Sequence, residues 1–203
     1  FDSNLASKQG GAIYLAASSD NNTTTRSSIN ASYVSFTSNT ANQVVQYGGG
    51  ALYCSNVVLK LDNIIFDGNR AIFGGAISLY SGSELTAEKI TFTHNIADHQ
   101  GGVMYTSKST VSFKDITVKG NKATGFTATE DVIDEVTGEL TGEAVEIYNE
   151  GVGGAFFFNS SSYAIFDTLN ADGNIADNAG FIMINVSELE ITGESNTIKN
   201  SQA

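Results

Sequence analysis

Phe66-Asp67-Gly68-Asn69-Arg70-Ala71-Ile72-Phe73-Gly74-Gly75-Ala76-Ile77 is the stretch on which the reading of this chain turns. It joins two short signatures: Phe-x-x-Asn-x-Ala, and a Gly-Gly pair followed by a small and then a bulky residue. The combination recurs on either side. Phe36, Asn39 and Ala41 precede Gly49-Gly50-Ala51-Leu52, and Phe92, Asn95 and Ala97 precede Gly101-Gly102-Val103-Met104. Phe1, Asn4 and Ala6 lead into Gly10-Gly11-Ala12-Ile13. Weaker copies pair Val118, Asn121 and Ala123 with a distant Gly153-Gly154-Ala155-Phe156, and Ala171, Asn174 and Ala176 with Ala179-Gly180-Phe181-Ile182. Ile198, Ser201 and Ala203 form a partial copy. Self-similarity at a short period is the mark of a solenoid.

The motif starts fall at 1, 36, 66, 92, 118, 171 and 198, so the shortest spacing is 26 residues. Helical repeats such as the ankyrin and tetratricopeptide units are longer, about 33 residues or more, and carry a 3.6-residue apolar period. Here apolar residues sit 7, 5, 2 and 0 positions before each start, as in Leu59, Leu61, Ile64 and Phe66, or Leu85, Ala87, Ile90 and Phe92. That pattern is two short alternating runs with a bend between them. The Gly-Gly segment supplies a third run. Three strands per coil predict an all-β, right-handed, three-sided parallel β-helix of about seven coils with loop insertions. The recurring Asn suits a turn and, stacked coil upon coil, a ladder of amide hydrogen bonds. The paired glycines suit corners with positive φ or no room for a Cβ.

Composition agrees with an ordered fold. The 203 residues carry no proline, only 16% charged residues and a net charge of −12, unlike a disordered chain. Residues 1–203 are expected to form a single segment of a longer solenoid, with insertions at 17–27 and 124–150. The start has neither basic residues nor an apolar stretch, so no signal peptide is expected in it. No apolar run approaches the roughly 18 residues of a membrane span, so direct membrane insertion is not expected. One cysteine, Cys54, excludes an internal disulfide and a cysteine metal site. The acidic balance argues against nucleic acid and anionic lipid as partners.

Function must then lie on outward positions. Strict alternation through Gly-Gly-Ala-Ile-Tyr-Leu turns the Ile and Leu positions inward and the Ala and Tyr positions outward. The predicted result is a flat outward ribbon with Tyr14, Tyr53, Tyr105 and Phe157 as candidate ligand- or partner-binding residues, since exposed aromatics favour interfaces. Aromatics also favour strands whatever their role, and a neighbouring loop can cover them. The 124–150 insertion holds Glu130, Asp131, Asp134, Glu135, Glu139, Glu143, Glu146 and Glu150 without a Lys, Arg or His, and Glu135–Leu140 suits a small hairpin. It lacks the D-x-D-x-D-G pattern of a calcium loop, so a solvated acidic loop is the simpler reading.

No catalytic residue, metal site or cofactor is expected. His94 and His99 lie near Asp98, but the His94 position is a turn that reads Ser3, Ser38, Gly68 and Gly120 elsewhere. Asp62, Glu88, Lys114 and Asp167 form an outer strip of mixed sign suited to cross-strand pairing rather than to the paired carboxylates of a glycosidase. The Gly-Gly pairs lack the Gly-Lys-Ser/Thr of a phosphate loop. Thr91 and Thr93 give one Thr-x-Thr pair that neighbouring coils do not repeat, against an ice-binding face. Asn-x-Ser/Thr sequons occur at Asn21, Asn22, Asn30, Asn159 and Asn185; they matter only in a eukaryotic secretory pathway, where the chain would be a glycoprotein.

The alternation of Gly-Gly-Ala-Ile with Phe-x-x-Asn resembles the repeats of the chlamydial polymorphic outer-membrane proteins, and similar repeats of surface proteins in other bacteria and protists. The resemblance spans nearly the whole chain. It implies a non-enzymatic, adhesin-like segment, extracellular or at the cell surface, with other proteins or glycans of a cell surface or matrix as partners. The alternative is a structural subunit or stalk of an extracellular coat or filament, packed against further copies or segments of the same solenoid. The motif residues are structural, so no binding site transfers with the resemblance.

Overall fold

The computed structural model of the chain describes residues 1–17, 26–42, 48–133 and 140–203. Three parallel sheets run the length of the molecule and stack into a solenoid of about six turns. One is built from the short strands that follow each Asn, among them Arg70–Phe73 and Ile96–Gln100. The second contains the long strands Val57–Asp67, Glu84–Thr93, Thr110–Lys119 and Tyr163–Asp172. The third contains the strands that follow each Gly-Gly pair, Ile13–Ala16, Leu52–Ser55, Ile77–Tyr80, Met104–Ser107, Phe156–Asn159 and Ile182–Asn185.

The register follows the repeat. Leu59 pairs with Leu85 and Leu85 with Val111; Phe66 pairs with Phe92 and Phe92 with Val118. The expected bend survives inside each long strand as one left-handed residue: Asn63 (φ 55°), Lys89 (φ 56°), Asp115 (φ 54°) and Thr168 (φ 59°). Short polar side chains such as those of Asn63 and Asp115 tolerate that conformation best, by bonding locally.

Inward residues stack like on like. The rings of Phe1, Phe36, Phe66 and Phe92 form a file with centroids 5.0, 5.0 and 5.2 Å apart. Phe36, Phe66 and Phe92 are buried, and full burial of such a side chain contributes about 1.5–3 kcal/mol. The asparagines form the predicted ladder. The side-chain amides of Asn4, Asn39, Asn69, Asn95 and Asn121 each donate to Oδ1 of the next Asn, at 2.7, 2.9, 2.9, 3.0 and 3.0 Å, ending on Asn174. Each Oδ1 also accepts the backbone N–H of the preceding Asn. The second amide proton crosses to the coil before, as from Asn95 to the Phe66 carbonyl at 2.9 Å. Every side-chain donor and acceptor of the buried Asn39, Asn69, Asn95, Asn121 and Asn174 is therefore used.

The second glycine of each pair answers to space. A Cβ on Gly50 would collide with the Gly75 carbonyl and with the backbone of Arg70. Coils approach too closely there for any other residue.

One expectation fails here. Ala51, Ala76, Val103, Ala155 and Phe181 were placed outward by alternation, yet they are buried and belong to the core cluster. The Ala51 carbonyl accepts both the Ala12 and the Ile13 N–H, at 3.0 and 2.9 Å. The backbone turns at this residue, so alternation begins one residue later than assumed. The expected insertion at 17–27 falls largely on residues 18–25, outside the described residues.

Candidate binding face

The outward aromatic positions do line up, as one continuous stack. Tyr14 lies face to face with Tyr53, centroids 5.0 Å apart and planes within 4°, and Tyr105 stacks on Phe157 at 5.6 Å. Ser78 leaves a gap between Tyr53 and Tyr105. Tyr80, two residues on, fills it, with its ring 5.4 Å from each neighbour. Phe73 closes the same gap edge-on to Tyr105 at 5.3 Å, and its carbonyl accepts the Ser78 hydroxyl at 2.8 Å.

This packing corrects the expectation of an open ribbon. Tyr14 is 56% exposed, but Tyr53 retains 6%, Tyr105 8% and Phe157 7% of their surface. At the roughly 4.8 Å strand spacing each ring covers the faces of its neighbours, so only edges reach solvent. The Tyr105 hydroxyl is also engaged, accepting the Asn159 amide at 2.9 Å.

The other sequence candidates are dispersed. Asp98 is held by Arg70 at 2.7 Å, and His94 Nδ1 meets Asp67 2.9 Å away. Asp67 is held below the usual carboxylate range, first by the Thr93 hydroxyl and less by His94, opposed by modest desolvation. His99 faces neither; its Nδ1 donates to the Glu150 carbonyl at 2.8 Å. Asp62, Glu88, Lys114 and Asp167 do share one row of the second sheet. Glu88 is lowered mainly by a hydrogen bond from Lys89, 3.2 Å away, with Lys114 at 3.7 Å. These are solvated ion pairs, each contributing little. Among the described residues no group of three or more His, Cys, Asp or Glu is arranged to hold a metal.

The feature that sequence reasoning undersized is the acidic insertion. Phe126–Ile133 and Leu140–Asn149 pair antiparallel as a separate two-stranded sheet, from Phe126 opposite Asn149 to Ile133 opposite Leu140. The small hairpin expected at Glu135–Leu140 lies mostly outside the described residues, which resume at 140. Alternation in Ala144-Val145-Glu146-Ile147-Tyr148 was the available signal, and it was overshadowed by the acidic count. The hairpin is rooted in the solenoid. The Tyr148 hydroxyl donates to Asp177 at 2.5 Å and approaches the Thr124 carbonyl at 3.2 Å, and the Gly151 N–H donates to Asp177 at 2.8 Å. Those two donors, Tyr148 first, hold Asp177 below the usual carboxylate range, and the carboxylate in turn raises the Tyr148 phenol. Phe126 sets its ring against His99, centroids 5.7 Å apart. Val145, Ile147 and Tyr148 remain exposed.

The family model for the Chlamydia polymorphic membrane protein repeat matches residues 1–16, 33–55 and 63–80. The chain is similar to the Probable autotransporter YfaL of Escherichia coli strain K12, with 29% identity over 175 residues, 73% of this chain but 14% of that protein. The chain thus spans about one seventh of the length of this curated relative. No solved structure matches it significantly. Each matched stretch carries a Phe-x-x-Asn turn and a Gly-Gly corner, so these three stretches of the solenoid are repeats of the Chlamydia polymorphic membrane protein type.

Proposed function

We propose that this chain is a non-enzymatic, surface-displayed segment of the autotransporter-passenger kind, which binds proteins or glycans of a cell surface or matrix through its outward strand faces and its acidic hairpin. The observation that carries this reading is the division of labour along the repeat. The Asn, Gly and Phe signatures are consumed by ladder, corner and core, while the outward residues differ from coil to coil and one coil extends a 126–149 hairpin. Binding surfaces on rigid scaffolds are built in that way. The family repeats and the autotransporter relative support display at the bacterial surface. The Tyr14 ring is the open end of the aromatic ribbon; Tyr53, Tyr105 and Phe157 act through its edge and as its backing.

The test is saturable binding of the chain to cells and extracellular matrix, compared with a variant in which Tyr14→Ser is combined with replacement of 126–149 by a short Gly-Ser turn. Binding by the parent and loss in the folded variant supports the reading. Absence of parental binding contradicts it and favours a structural role in a coat or stalk. Release of reducing sugar from pectin-like polymers would contradict the non-enzymatic part.

A further inference from the structure

We infer that the outer edge of the second hairpin strand, over residues 144–149, is a docking edge for an extended, lysine- or arginine-rich segment of a partner protein, which adds there as a third strand. The inference rests on the reading of the chain as a surface-binding segment for its setting, and on the hairpin for its content.

Among the described residues the hairpin sheet has two strands, paired in regular register from Phe126 opposite Asn149 to Asp131 opposite Ala144, and no third strand lies beside the 144–149 stretch. In the middle coils of the solenoid, by contrast, every strand is paired on both sides. A two-stranded sheet is marginal alone, and an open edge is a template for a further strand. Val145 and Ile147 alternate on one face and are exposed, and Ala128 stands opposite Ile147 in register. This gives an added strand an apolar strip to cover with every second side chain. The edge is also preformed. Tyr148 is tied to Asp177, the Glu150 carbonyl to His99, and Phe126 packs on His99. A rooted edge loses little freedom on binding.

Charge selects the occupant. Residues 124–150 include eight carboxylates and no Lys, Arg or His. Two copies of such an edge repel each other, which excludes pairing between like hairpins as a resting state. A cationic strand meets the opposite field and is drawn in at low ionic strength.

The experiment uses the intact chain and three ten-residue peptides: alternating Lys-Thr, the same peptide N-methylated on alternate residues so that one edge has no N–H donors, and alternating Glu-Thr. Binding is read by fluorescence anisotropy, and amide exchange is followed over 144–149. The Lys-Thr peptide is expected to bind about tenfold or more tighter than the other two, to weaken by about tenfold between 50 and 500 mM salt, and to slow exchange in 144–149. Glu143→Lys with Glu146→Lys is expected to remove the binding while thermal unfolding stays unchanged. Equal binding by the N-methylated peptide, unchanged exchange in 144–149, or self-association through the hairpin would each overturn the inference. Failure of the chain to bind cells, with Lys-Thr binding intact, would overturn the proposed function and leave the docking edge standing.

Discussion

The solenoid and the hairpin are both β structure in one chain, and they are held by opposite means. In the middle coils of the solenoid each strand is fixed by two neighbours, a stacked core and a ladder of buried asparagines. In the hairpin two strands hold each other and touch the rest through a few polar contacts and one aromatic edge. The difference teaches where evolution has freedom. A change inside the coil propagates to the neighbouring coils, whereas a change in the hairpin stays local.

The largest expected effect comes from removing a rung. Asn95→Ala removes four hydrogen bonds: it leaves the buried Asn69 N–H and one Asn69 amide proton without a partner and takes a donor from the Phe66 carbonyl and from Asn121 Oδ1, which keeps the N–H of residue 95. Since a buried unsatisfied group costs about 1–3 kcal/mol, a total loss near 3–5 kcal/mol is expected by denaturant unfolding. A loss below about 1 kcal/mol would mean that the ladder is ornamental.

Opposite in sign is Thr106→Val. Thr106 occupies an inward position between Leu79 and Phe158, and its hydroxyl is buried without a partner. Replacing the hydroxyl with a methyl removes that penalty, so the variant should gain about 1 kcal/mol in thermal unfolding. A destabilised variant would show that the hydroxyl has a partner.

A third change leaves global stability alone and acts on the hairpin root. Asp177 is depressed in the folded chain, so its contribution is present above the ordinary carboxylate pKa of about 3.9 and is lost as pH falls through the lower folded value. Tyr148 is raised, so its contribution is present below about pH 10 and is lost as pH rises through the higher folded value. Limited proteolysis should therefore cut near 126–149 faster at both extremes, and Tyr148→Phe should cut faster at neutral pH, with the unfolding temperature unmoved. Equal cutting of parent and variant would show that the root lies elsewhere.

The smallest effect is a silence. Burial pushes the Cys54 thiol up to about 12, so a thiol reagent at pH 8 should label the chain only as fast as it unfolds. Rapid labelling of the folded chain would contradict a closed core at that coil.

How much of this was legible follows the same division. The Phe66-to-Phe92 spacing, the Asn69 and Asn95 turns and the Gly50 and Gly75 corners were readable because a stacked coil forces identical residues to meet identical neighbours. The inward turn of Ala51 was not, because the rule of alternation assumes an unbroken strand and the shared carbonyl breaks it. The cover over Ser78 was hidden too. Tyr80 and Phe73 reach it from other points of the coil, and no periodicity records a side chain leaning over its neighbour. The hairpin was partly visible in Val145-Glu146-Ile147, but its anchor, Asp177, lies 29 residues from Tyr148 in another coil, beyond what local pattern can join.

The measurement that bears most directly on the account is residue-resolved amide hydrogen exchange of the intact chain. The backbone N–H groups of Asn39, Asn69, Asn95 and Asn121 are bonded to the ladder, and the account predicts that they open only with global unfolding, while amides of 126–149 open at a clearly lower free energy. Ladder amides that exchange as readily as those of the hairpin, or hairpin amides as slow as the ladder, would contradict it.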